Sequence, residues 1–83
     1  MKKSMEILRI FPDYMRDQWR EAAEEADGLW EISLRAHREI ILMIRGKEYF
    51  LDKNGRLVSD IKKADRMTEQ DMEAVLNHIC NYS

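Results

Sequence analysis

The chain has 83 residues, which is room for one domain around one modest hydrophobic core. Hydrophobic residues make up 45% and charged residues 36%, with one Pro and three Gly, a composition that packs and folds rather than one that stays disordered. The net charge is −2 with the signs interspersed, which excludes the broad positive field that phosphate-backbone binding needs.

No apolar run approaches the ~20 residues of a membrane span, and the start, Met1-Lys2-Lys3-Ser4, leads into an amphipathic stretch broken by Glu6 and Arg9, not into a signal-peptide core. Cys80 is the only cysteine, so neither an intrachain disulfide nor a cysteine-based zinc site can close. The expectation is a cytoplasmic protein, residues 1–83 forming a single α+β domain.

Ser4 to Phe11 places Ile7, Leu8 and Phe11 at helical spacing behind a possible Ser4 cap, and Pro12 stops it. From Asp13, the residues Met15, Trp19, Ala22, Ala23 and Ala26 recur at three- and four-residue intervals, predicting a second amphipathic helix that ends at a left-handed Gly28. The period becomes two at Leu29. Trp30, Ile32 and Leu34 alternate with Glu31, Ser33 and Arg35, predicting a strand with Trp30 on its buried face.

Ile40 to Arg45 is apolar on both faces and reads as a central strand whose second side is covered. Turns at Gly46-Lys47 and Asn54-Gly55 lead into strands at 48–51 and 56–59, giving an antiparallel meander. Asp60 to Arg66 reads as a basic connection across a sheet edge. In the last element Thr68 and Asp71 form a capping box, Met67 staples onto Met72, and Met72, Val75, Leu76, Ile79 and Cys80 make one stripe packed on the sheet. The order is α-α-β-β-β-β-α.

No catalytic pattern emerges. Gly46-Lys47 lacks the upstream glycine of a phosphate loop, where Ile41 stands, and the following Ser or Thr, where Glu48 stands. Asp52-Lys53-Asn54-Gly55 lacks the alternation and distal Glu of a calcium loop. His78 and Cys80 project about 200° apart on a helix and cannot share a metal, while His37 lies in a loop with no nucleophile beside it. Cys80 reads as a core residue and its thiol as inert.

The charges remain. Arg35, Arg38, Arg45 and Lys47 fall at the ends of two neighbouring strands, opposite Glu21, Glu24, Glu25 and Asp27 of the second helix. They read either as a solvated rim with internal ion pairs or as a charge-steered contact between subunits, with Trp19, Glu21 and Glu24 on the facing helix.

The run Glu31-Ile32-Ser33-Leu34-Arg35-Ala36-His37-Arg38-Glu39-Ile40 resembles the "E-I-R-L-R-x-G-R-P-I/V" stretch of the stage III sporulation protein AA family. Ile7-Leu8-Arg9-Ile10-Phe11-Pro12 resembles that family's opening, Glu48-Tyr49-Phe50-Leu51 its third strand, and Met67-Thr68-Glu69-Gln70-Asp71 followed by Asn81-Tyr82-Ser83 its last helix. Ser33, His37 and Glu39 depart from the pattern at its first Arg, its Gly and its Pro, while Arg35 and Arg38 match.

The resemblance implies the N-terminal domain of a cytoplasmic secretion-type ATPase that powers or assembles the mother cell–forespore channel, peripheral to the membrane through its partners. ATP and magnesium would belong to a nucleotide-binding domain beginning after Ser83, so this chain is expected to hold no cofactor and not to be an enzyme itself. Its expected partners are other copies of the same protein, in a ring such as a hexamer, and membrane channel components. The alternative is a small nucleic-acid-binding module using the basic edge and Lys62, Lys63 and Arg66.

Overall fold

Pro12 parts the first two helices, as its fixed φ of −64° and missing N–H require. The computed structural model describes residues 3–80, with side chains from Glu6 onward, so the Asn81-Tyr82-Ser83 motif falls outside it, while the expected cap at Ser4 gives way to a helix that already begins at Lys3. Helix α1 spans Lys3–Leu8, and two tight turns, Ile10 N–H to Ile7 O and Phe11 N–H to Leu8 O, carry the chain on to Phe11.

A 3-10 turn at Asp13–Met15 opens α2, Arg16–Glu24, and a second at Ala26–Gly28 closes it. Met15, Trp19, Ala22, Ala23 and Ala26 are all buried, as their spacing predicts. Gly28, however, is not left-handed, because the 3-10 turn already unwinds the helix end; the positive-φ glycines are Gly46 and Gly55. The lack of a side chain at Gly28 serves packing instead, since a Cβ there would stand 2.6 Å from Arg45 Cγ.

Four strands follow: β1 (Leu29–Ser33), β2 (Ile41–Ile44), β3 (Lys47–Leu51) and β4 (Leu57–Val58), paired antiparallel in the order β1-β2-β3-β4. Ile44 pairs with Lys47, so the first hairpin turn is Arg45-Gly46, one residue earlier than expected. Both residues have positive φ, 49° and 79°, as a two-residue turn matched to strand twist demands.

At the second turn the Asp52 carboxylate accepts from the N–H groups of Asn54 and Arg56 while Gly55 takes a φ of 85°. Helix α3, Glu69–Cys80, completes the expected order, with Asp71 N–H donating to Thr68 Oγ1 at 3.0 Å as its cap.

The register assigns the two faces of the sheet. Ile32, Leu42, Tyr49 and, one step on, Leu51 and Leu57 share the face on which the helices pack, with Phe11, Met15, Trp19, Ala22, Ile40, Met67 and Val75 completing the core. Trp19 lies at its centre, fully buried, its ring stacked on Phe11 at 4.1 Å. The second face carries Glu31, Ser33, Ile41, Met43, Glu48, Phe50 and Val58. Ile41 and Met43 are half-buried and Phe50 is buried, so the second side of β2 is partly covered, as its two-faced apolar pattern requires.

Two further expectations fail for geometric reasons. The pairing slips between Leu29 and Glu31, and this bulge at the start of β1 leaves Trp30 71% exposed rather than in the core. On α3 only Val75 of the expected stripe is fully buried, with Met72 beside the core; Leu76, Ile79 and Cys80 are exposed because the helix rests on the side that carries Asp71, Val75 and His78.

A Cβ on Gly55 would meet Gln18 O at 2.6 Å, whereas one on Gly46 would meet only the Trp30 ring at 3.3 Å. Gly55→Ala should therefore cost about 2–4 kcal/mol and Gly46→Ala about 1 kcal/mol, the latter from its positive φ alone. Urea denaturation of both variants checks this; equal losses would show that the approach of α2 to the turn is not a constraint.

Candidate docking surface

The two edges of the sheet are finished differently. At β4, only two residues long, the Leu57 N–H is taken by Glu21 Oε2 at 3.0 Å, so α2 lies over that edge. At β1 the five residues pair with β2 alone, and among the described residues the outer row of backbone groups from Leu29 to Ser33 has no hydrogen-bond partner. An open edge of this kind is a template for another strand.

Beyond β1 the chain is held firmly. His37 N–H donates to Met67 O at 2.6 Å, Met67 N–H to Arg38 O at 3.2 Å and Ile40 N–H to Asp65 O at 3.1 Å, stapling the β1–β2 loop onto the segment before α3. Buried Met67 anchors this staple, and an Arg66–Glu39 ion pair at 2.9 Å closes it. Arg35 and Arg38 are thus presented by a fixed loop. Arg38 approaches Glu39 at 4.0 Å, while Arg35 has no side-chain partner among the described residues. His37 is exposed, takes a φ of 64° and lies 3.7 Å from Glu69.

The four basic residues do not form one edge. Because β1 and β2 are antiparallel, Arg35 and Arg38 stand at one end of the pair and Arg45 and Lys47 at the other, about 13 Å of strand away. Arg45 is engaged internally, donating to Glu25 Oε2 at 3.0 Å, and its N–H donates to Gly28 O. Glu21 is engaged with β4, and Trp19, wholly inside, offers no contact surface; among the described residues Glu24 and Asp27 are exposed with no side-chain partner. The intramolecular reading therefore holds at Arg45, and Arg35 and Arg38 remain as an exposed pair.

Trp30 and Glu31 also stand on this edge, where the sequence pattern does not point to them. Trp30 follows a helix exit whose slip in register no periodicity reveals, and Glu31 reads simply as the polar partner in an alternation. The same is true of the basic groove of about 560 Å³ between the Asp52–Asn54 turn and the connection before α3, which gathers Lys53 with Lys62, Lys63 and Arg66. Lys53 joins it only because the Asn54-Gly55 turn folds back. Two carboxylates line the same groove: Asp52, spent on turn N–H groups, and Asp65, accepting from Gln18 Nε2 at 2.7 Å.

Among the described residues no group of three or more His, Cys, Asp or Glu is placed to hold a metal ion, and no helix is long and apolar enough to cross a membrane. Gly46 belongs to the hairpin turn and Lys47 opens β3. Comparison with protein-family models, with curated proteins and with solved structures finds no match.

One side-chain contact ties α3 to the first helical pair: Tyr14 O–H donates to Asp71 Oδ1 at 2.9 Å. Desolvation, then this hydrogen bond and the charge of Asp71, raise the Tyr14 pKa above its ordinary value of 10.0. The raised folded pKa means that the contact's contribution is fully present below the ordinary tyrosine range and is lost as pH climbs through the folded value. In an ultraviolet phenolate titration one tyrosine should ionise late. Tyr14→Phe should remove that step and Asp71→Asn should bring it down toward the ordinary range; an unchanged titration in Asp71→Asn would contradict the contact.

Proposed function

We propose that this chain is a non-catalytic docking domain, and that it serves as the N-terminal assembly domain of a sporulation secretion-type ATPase. The open β1 edge, with exposed Trp30 at one end and Arg35 and Arg38 on a stapled loop at the other, carries the docking part of the reading. An edge strand left long and unguarded beside an exposed aromatic is costly in a free protein, which is why it reads as a contact.

The sporulation part rests on the sequence resemblance. Its support here is that His37, where the family pattern has Gly, takes the left-handed φ of 64° that glycine adopts without strain, so the loop has the backbone shape the pattern asks for. On this reading nucleotide and magnesium chemistry belong to a following domain, the partners are further copies and channel components, and the protein works in the cytoplasm at a membrane complex.

The test uses the full-length gene product. It should hydrolyse ATP and sediment as an assembly, while residues 1–83 alone are inert toward ATP. Arg35→Glu combined with Arg38→Glu should weaken assembly roughly tenfold or more and reduce its salt dependence. Wild-type assembly by that double variant would sink the docking reading; a gene product without ATPase activity would sink the sporulation one.

The lysine groove favours a second reading, binding of a nucleic-acid backbone by Lys53, Lys62 and Lys63. Titration with single-stranded and duplex oligonucleotides at low salt should then show binding that Lys62→Glu with Lys63→Glu abolishes. No binding at low salt removes this alternative.

A further inference from the structure

We propose that the open edge of β1 pairs with β1 of a second copy, antiparallel about a two-fold axis at Ser33, to make one continuous eight-stranded sheet. The inference rests on the docking reading above and names its partner. It starts from two charges with nothing to do. Glu31 and Arg35 are exposed, and neither has an ion pair or a side-chain hydrogen bond among the described residues. Glu31 lies within β1 and Arg35 two residues beyond its end; at the spacing of extended chain the two stand about 13 Å apart and cannot pair within the chain.

Within the sheet Glu31 lies in a row with Met43 and Glu48, two carboxylates and no cation. With the axis at Ser33, every residue faces the one equally far on the other side of that serine. Glu31 then stands opposite the partner's Arg35, and Arg35 opposite the partner's Glu31, giving two ion pairs from one self-complementary pattern. On the opposite face Ile32 stands against the partner's Leu34, the residue by which the pairing extends β1, two apolar side chains that the single chain leaves half-buried.

Other registers lose this match. Moving the axis to Ile32 sets Glu31 against the partner's Ser33, and an in-register parallel pairing sets Glu31 against Glu31. The bulge between Leu29 and Glu31, a device that twists an edge away from further pairing, lies outside the 31–35 span. The far edge cannot serve instead, because Glu21 occupies the Leu57 N–H.

Sedimentation equilibrium of the 83-residue chain, carried to about 1 mM, tests this. The wild type should show a reversible monomer–dimer equilibrium. Glu31→Arg and Arg35→Glu, each of which sets two like charges face to face across the axis, should each weaken it by roughly tenfold or more. The double exchange Glu31→Arg with Arg35→Glu should restore it, which a variant that merely misfolds would not do, and circular dichroism of the single variants should match the wild type. A wild type that stays monomeric, a dimer indifferent to both reversals, or a double exchange that fails to restore association overturns the pairing. If association fails here while Arg35→Glu with Arg38→Glu still disrupts the full-length assembly, the docking reading stands and the second copy is the wrong partner.

Discussion

Trp19 holds the two layers of this domain in one arrangement. Its ring stacks on Phe11, with an interplanar angle of 16°, and is closed off entirely from solvent. Its indole N–H has no acceptor among the described residues, an expense of about 1–3 kcal/mol. Burial of a ring of this size contributes roughly 4–6 kcal/mol, so the apolar term wins and the position is stable without a polar partner. The neighbouring residue converts that anchor into register: Gln18 Nε2 donates to both Asp52 O and Asp65 Oδ2, clamping α2 to the second hairpin turn and to the approach to α3. Gly55 is the counterpart of this clamp, since any side chain there would strike Gln18.

That arrangement also decides which surfaces are left over. Once α2 lies over the β4 side of the sheet, with Glu21 at Leu57 and Glu25 at Arg45, the acidic helix is largely committed to its own chain. The β1 side receives no such cover. The loop that follows β1 is pinned by backbone bonds to Asp65 and Met67, so its arginines are displayed rather than mobile. The edge strand thus ends in a pinned loop with Glu31 and Arg35 unmatched among the described residues, the features on which the proposed pairing with a second copy rests.

Helix α3 is attached more lightly. Val75 reaches the core and Tyr14 holds Asp71, yet Leu76 and Ile79 face solvent at 55% and 43% exposure. The domain thus combines a firmly built centre with a margin at which Leu76 and Ile79 stay on the surface.

The sequence by itself determined the element order, the buried face of α2, the capping of α3 and both hairpins, because each rests on interactions a few residues apart: helical period, strand alternation, Thr68 to Asp71, Asx and glycine turn chemistry. It also exposed the absence of any recognisable catalytic motif. Tertiary structure alone decided the rest. Trp30 turned outward because a one-residue slip in pairing reverses which face a side chain takes, and a slip depends on the partner strand. The α3 stripe was misjudged because amphipathic spacing fixes which residues share a face but not how the helix is rotated on its support. The four arginine and lysine positions separated into two ends because antiparallel pairing, not proximity in the chain, sets their distance. Which edge of the sheet stays open is likewise a matter of where α2 comes to rest, and only the folded chain contains that answer.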